Sequence, residues 1–85
     1  MSRPVTVYTT QPCARCGNAK ALLARHGIAF EEVNLSKDPV GRAELAERTG
    51  LMTFPQIMVG EHTIGGLDDL VRIDAEGRLP ELLAA

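Results

Sequence analysis

A strand-like run, a helix-like run and a second strand-like run follow one another inside the first 35 residues, and this succession constrains the fold more than any other feature. Val5, Val7 and Tyr8, in the stretch Pro4-Val-Thr-Val-Tyr-Thr9, are β-branched or aromatic and stop at a turn containing Pro12, as a strand does. Ala14 to His26 is rich in Ala, Leu, Lys and Arg, with Gly27 placed to end it. Cys16, Ala19 and Leu23 recur there at three- and four-residue spacing, so the spacing predicts a helix that turns these three residues inward. Ile28 to Leu35, with Phe30, Val33 and Leu35 apolar, reads as a second strand whose alternation is broken by the adjacent Glu31 and Glu32. Two strands joined through a helix run parallel under the right-handed crossover rule.

The rest of the chain adds to this unit. Asp38 is a good N-cap with Pro39 at the first helical position, and Val40 to Thr49 continues helically until Gly50. Gln56 to Val59 and Thr63-Ile64, separated by Gly60-Glu61-His62, read as a short hairpin. Asp68 opens a helix that runs to about Asp74, and a leucine-rich turn, Leu79 to Leu83, closes the chain. The expected architecture is α/β, a central sheet flanked by helices, with Leu22, Leu23, Ile57, Val59, Leu70 and Ile73 in its core. Eighty-five residues cannot build a second core, so residues 1–85 are expected to form one domain.

Composition narrows the function classes. Hydrophobic residues are 45% of the chain and charged residues 24%, the balance of a globular protein. The net charge is -2 and the nine Lys and Arg are scattered, so no basic stripe follows a nucleic acid or an anionic membrane. No segment reaches the roughly 20 apolar residues of a membrane span, and the first ten residues lack the pattern of a secretory leader. A cytoplasmic location is the expectation.

The chemistry is concentrated in Cys13-Ala-Arg-Cys16. A thiol is a nucleophile as thiolate, and a cysteine at a helix N-terminus has that anion stabilised by free backbone N–H groups and the helix dipole. Cys13 has that position, and Arg15 adds a positive charge that tunes the thiolate further. Cys16 lies one turn on, within reach of Cys13, and supplies a resolving thiol. A structural zinc site would need about four ligands, and outside this pair only His26 and His62 are at hand, neither at finger spacing. Two unreactive core cysteines are the other bland reading, and the exposed turn at Pro12 argues against it. A stapling disulfide across so short a loop would remove little entropy from the unfolded chain.

With these residues in view the sequence closely resembles the glutaredoxin family, in particular its short bacterial members. The resemblance rests on Val7-Tyr8-Thr9, on Cys13-Ala-Arg-Cys16 followed by Ala19-Lys20-Ala21-Leu22-Leu23, on Thr53-Phe54-Pro55-Gln56-Ile57 and on Ile64-Gly65-Gly66-Leu67-Asp68-Asp69-Leu70. It implies a thioredoxin-like fold, a central four-stranded mixed sheet with three or four helices, and a cis peptide at Pro55, which base rates alone would make trans. It further implies glutathione as co-substrate, with no tightly bound cofactor and no metal, and as protein partners disulfide-containing or glutathionylated proteins met by a monomer. In that picture Phe54, flanked by Thr53 and Pro55, binds the cysteinyl backbone of glutathione, and Leu67 and Asp68 hold its γ-glutamyl end. Helix-start amides suit the γ-glutamyl carboxylate and the Asp68 carboxylate suits its ammonium, with Asp69 a weaker candidate; N-capping is the structural alternative for both aspartates.

Three positions depart from the family pattern. Thr10 stands where a basic residue normally meets the glycyl carboxylate of glutathione, and Arg42 matches a family position that also reaches it, unless it is simply a solvated helix-face Arg. Ala14 and Arg15 replace the usual proline and tyrosine between the cysteines. The missing cation at Thr10 keeps a second reading open, an electron carrier reduced by thioredoxin reductase or another small thiol. A third, an iron–sulfur module shared between two copies, is disfavoured by the second cysteine and the bulky Arg15.

Overall fold

The computed structural model describes residues 3–84, and its local signals explain most of its elements. Strand β1 is Val5–Thr9, and Val5, Val7 and Thr9 are buried in strict alternation. Helix α1, Ala14–Arg25, ends where Gly27 takes a left-handed φ of 68° and donates to the Ala24 carbonyl at 3.0 Å. The Ile28 N–H reaches back to the Leu23 carbonyl at 3.0 Å, which completes a Schellman cap. Strand β2 is therefore Glu31–Asn34 and not Ile28 onward: Ile28 and Phe30 are apolar because they pack on the core beyond that cap. The adjacent glutamates fit because β2 is an edge strand with mostly exposed side chains.

Helix α2, Pro39–Thr49, is capped by Asp38, whose carboxylate accepts from the Gly41 N–H at 2.8 Å, and it stops at Gly50 with φ 76°. Strand β3, Gln56–Val59, is buried at every position because it lies in the sheet interior. Strand β4 is His62–Gly65, so His62 belongs to the strand and the hairpin turn is only Gly60-Glu61, with Gly60 at φ 59°. Helix α3, Leu67–Ala75, begins one residue before Asp68, because Gly66 is the N-cap and Asp69 reaches back to its N–H at 3.0 Å. Helix α4 is Leu79–Leu83.

The sheet order is β2-β1-β3-β4, with β1 and β2 parallel and β1/β3 and β3/β4 antiparallel. Four strands in a mixed sheet with four helices is the thioredoxin-like architecture. One face buries Val5, Val7, Ile57 and Val59 against Ala19, Leu22 and Leu23 of α1, Leu67 and Leu70 of α3 and Leu79 of α4. Met58, with Leu35 and Leu45, forms a smaller cluster on the α2 side, where Tyr8, Val33 and Phe54 pack. Ile73 is half-buried at the rim of the larger core rather than inside it. The start of α1, the loop before β3 and the start of α3 carry the residues that gather around the cysteine pair. Among the described residues no helix is long and apolar enough to cross a membrane.

Candidate active site

Cys13 is the N-cap of α1, in extended backbone at φ -156°, and its sulfur accepts a hydrogen bond from the Cys16 N–H at 3.1 Å. That bond is the physical form of the helix-terminus effect: the same donor that meets Cys13 here would stabilise its thiolate after reduction. Cys13 and Cys16 are joined as a disulfide with Cα atoms 5.3 Å apart. Cys13 is half-buried and Cys16 only 3% exposed, so Cys13 is the more accessible residue of the pair.

The loop before β3 faces this pair. The peptide between Phe54 and Pro55 is cis, as the resemblance implied, and so is that between Gln11 and Pro12. The Phe54 carbonyl oxygen lies 3.9 Å from Cys13 Sγ, Pro55 is fully buried and Thr53 is exposed. The loop is braced from below by Gln56, 1% exposed, whose Nε2 donates to the Leu51 and Thr53 carbonyls at 3.1 Å each. The Thr49 hydroxyl donates to its Oε1 at 2.9 Å. The sequence placed Gln56 at a strand start and in the segment that carries the family resemblance but gave it no role; the brace joins residues that only the fold brings together.

Arg15 and Asp68, given separate roles above, meet across the site: Arg15 Nη2 lies 2.9 Å from Asp68 Oδ1, with both side chains more than half exposed. The Arg15 guanidinium is thus paired with the start of α3. Asp69 is committed to the helix, since its carboxylate accepts from Gly66 N–H at 3.0 Å and from Arg72 Nη2 at 3.3 Å. The Gly66 contact first, and Arg72 after it, hold the Asp69 carboxyl below the usual carboxylate range. Gly65 is required by both conformation and space, since it has φ 125° and a Cβ there would run into the Asp69 carboxylate, whereas a Cβ on Gly66 would only touch the Pro55 carbonyl at 3.4 Å. Leu67 is buried at the first turn of α3.

Arg42 is not a free surface charge, because Nη1 donates to the Leu35 carbonyl and, at 2.9 Å, to that of Ser36. It also shares with Leu51, Met52 and Phe54 the walls of a groove of about 250 Å³ on the α2 side of the loop. On the other side of the dithiol a cavity of about 490 Å³ is lined by Thr10 and by three residues that sequence reasoning gave no role, Thr9, Lys20 and Glu32. His26 lies away from the site, 2.9 Å from Asp74, and His62 is exposed in β4. Among the described residues no group of three or more His, Cys, Asp or Glu side chains comes together as a metal site.

The comparisons with known proteins agree with this geometry. The glutaredoxin family model matches residues 5–64. A glutaredoxin of Pseudomonas aeruginosa is 46% identical over 82 residues, covering 96% of this chain and 98% of its own. The solution structure of glutaredoxin from Brucella melitensis superposes with a TM-score of 0.86 at 48% identity, over 96% of this chain and 89% of that one. The crystal structure of a buckwheat glutaredoxin–glutathione complex superposes with a TM-score of 0.87 at 27% identity, over 95% of this chain and 76% of that one.

Proposed function

This chain belongs to the glutaredoxin family of thiol-disulfide oxidoreductases, and we propose that it draws its electrons from glutathione. One observation carries the reading: the two segments that would hold glutathione are both tied to the dithiol. The Phe54 carbonyl lies 3.9 Å from Cys13 Sγ, and Asp68 pairs with Arg15 between the cysteines at 2.9 Å. In the catalytic cycle the Cys13 thiolate attacks a protein disulfide or the glutathione sulfur of a glutathionylated protein. For a protein disulfide, Cys16 displaces the substrate from Cys13, and two glutathione molecules then restore the dithiol. For a glutathionylated protein Cys13 alone suffices, because the protein leaves as a thiol and one further glutathione recycles the enzyme.

The backbone of Phe54, between Thr53 and Pro55, takes the cysteinyl segment of glutathione by strand-like pairing. The first amides of α3, at Leu67 and Asp68, take the γ-glutamyl carboxylate, and the Asp68 carboxylate takes the ammonium by exchanging with Arg15. Asp69 is the poorer choice since its oxygens already serve Gly66 and Arg72. Arg42, beside Phe54 in the α2 groove, faces the glycyl carboxylate in this assignment. The chain acts as one domain and as a monomer, in a cytoplasm whose glutathione pool is reducing enough for a glutaredoxin.

Thr10 favours the second reading, reduction by thioredoxin reductase or another small thiol, because it places no cation where the glycyl carboxylate would lie. Titration of the oxidised protein with S-methylglutathione, followed by backbone amide NMR, separates the two. The glutathione reading expects shifts confined to Phe54, Leu67, Asp68 and their neighbours; a spectrum unchanged at millimolar ligand removes it.

A further inference from the structure

Cys16 poses an electrostatic problem that the machinery described so far leaves unsolved. It is 3% exposed, and burial disfavours a thiolate, yet Cys16 must be one both to attack the mixed disulfide and to leave when glutathione opens the Cys13–Cys16 bond. The nearby stabilisers are already engaged. The Cys16 N–H points its hydrogen bond at Cys13 Sγ, and Arg15 is paired with Asp68. Among the described residues the cavity beside the disulfide brings in two charged side chains, Lys20 from α1 and Glu32 from β2, while β1 and the loop before α1 line it with uncharged ones.

Lys20 follows Cys16 by four residues in α1, so the two lie on one face of the helix, one turn apart. Its ammonium is fixed rather than free, with Nζ 3.1 Å and 3.2 Å from the two Glu32 oxygens. Glu32 is fixed in turn by the hydroxyl of Thr9, which donates to it at 2.9 Å from a position 1% exposed in β1. Thr9 first, and Lys20 after it, hold the Glu32 carboxyl below its ordinary range, so it stays ionised and keeps the ammonium in place. A pair with side chains about one-third exposed adds little to stability, which leaves its position at the dithiol to be explained.

We propose that Lys20 is the electrostatic partner of the resolving thiol, and that Glu32 and Thr9 are positioning residues that hold it there. The inference rests on the dithiol cycle above. In the resolving step the Cys16 proton passes to water in the cavity, and Cys16 Sγ forms a bond with Cys13 Sγ. The bond from Cys13 to the substrate sulfur breaks, and the substrate leaves as a thiolate that takes up a proton. On recharging, the glutathione thiolate attacks Cys13 Sγ and Cys16 departs with the electron pair, in the field of the Lys20 ammonium, before it is protonated by water. Lys20 makes and breaks no bond.

The test loads Cys13 with a mercaptoethanol adduct, from hydroxyethyl disulfide, and follows its release as Cys16 closes the disulfide, across pH. This adduct needs no glutathione site, so the result stands whether or not glutathione is the reductant. Lys20→Met is expected to slow release roughly fivefold at neutral pH and to move the pH profile up by about one unit. Lys20→Arg restores most of the rate, and Glu32→Gln, which leaves the ammonium uncompensated, moves the profile down. Opposite shifts for the two variants are the signature, because loss of a merely structural ion pair would displace both the same way. An unchanged rate in Lys20→Met, or shifts of the same sign in both variants, overturns the proposal.

Discussion

The loop that carries Phe54 and Pro55 should owe its position to one buried amide, and replacing Gln56 by leucine tests this. Leucine keeps the volume and the β3 backbone pairing but removes the bonds to the Leu51 and Thr53 carbonyls and the one accepted from Thr49. The Thr49 bond counts for less than the others because its proton is shared with the Leu45 carbonyl, 3.0 Å away. At roughly 1 kcal/mol per hydrogen bond, and more where a buried carbonyl is left unpaired, the expected loss is about 3 kcal/mol. With a urea slope of roughly 1.5 kcal/mol/M the unfolding midpoint falls by about 2 M while the slope is unchanged. Thr49→Val, which removes the shared bond and the one the Thr49 hydroxyl oxygen accepts from the Leu51 N–H at 3.1 Å, should cost less than Gln56→Leu, about 1–2 kcal/mol. Because the brace ends at the carbonyl just before Phe54, Gln56→Leu should also raise the KM for glutathione more than it lowers kcat. A loss below about 1 kcal/mol for Gln56→Leu would refute the brace, since a typical buried bond alone is worth that much.

Two further substitutions probe the start of α3. Gly65→Ala forces a side chain into φ 125° and against the Asp69 carboxylate, so it should cost about 2 kcal/mol or more, read as a lowered thermal midpoint. Asp69→Asn tests the acid limb of stability: the folded carboxyl is held below its unfolded value near about 3.9, so its contribution is complete above that pH and is lost as the pH falls further. The variant should therefore be less stable at neutral pH and lose less than the parent below about pH 4, measured by urea unfolding across pH.

How far the sequence reached depended on the range of the interactions involved. Local signals were legible: the strand marked by Val5, Val7 and Tyr8, the Asp38-Pro39 start of α2 and the helical face of Cys16, Ala19 and Leu23 all appear as read. Strand β2 was overextended because Ile28 and Phe30 look like strand residues yet serve the core beyond a helix cap, a use that hydrophobic pattern does not distinguish. The start of α3 was placed one residue late because Asp68 is a good N-cap by type, while Gly66 and the back-reaching Asp69 do that work. At the site, the cysteine spacing announced the chemistry, but the Arg15–Asp68 pair, the Gln56 brace and the Thr9–Glu32–Lys20 chain join residues far apart in sequence. No single-chain periodicity encodes such contacts.

The central claim is tested most directly by turnover of the mixed disulfide between glutathione and cysteine, with NADPH supplying electrons through glutathione reductase and glutathione, beside a parallel reaction in which thioredoxin reductase replaces that system. Rapid turnover with glutathione that disappears in Cys13→Ser is the predicted result; turnover with thioredoxin reductase alone, the glutathione system remaining silent, would contradict it.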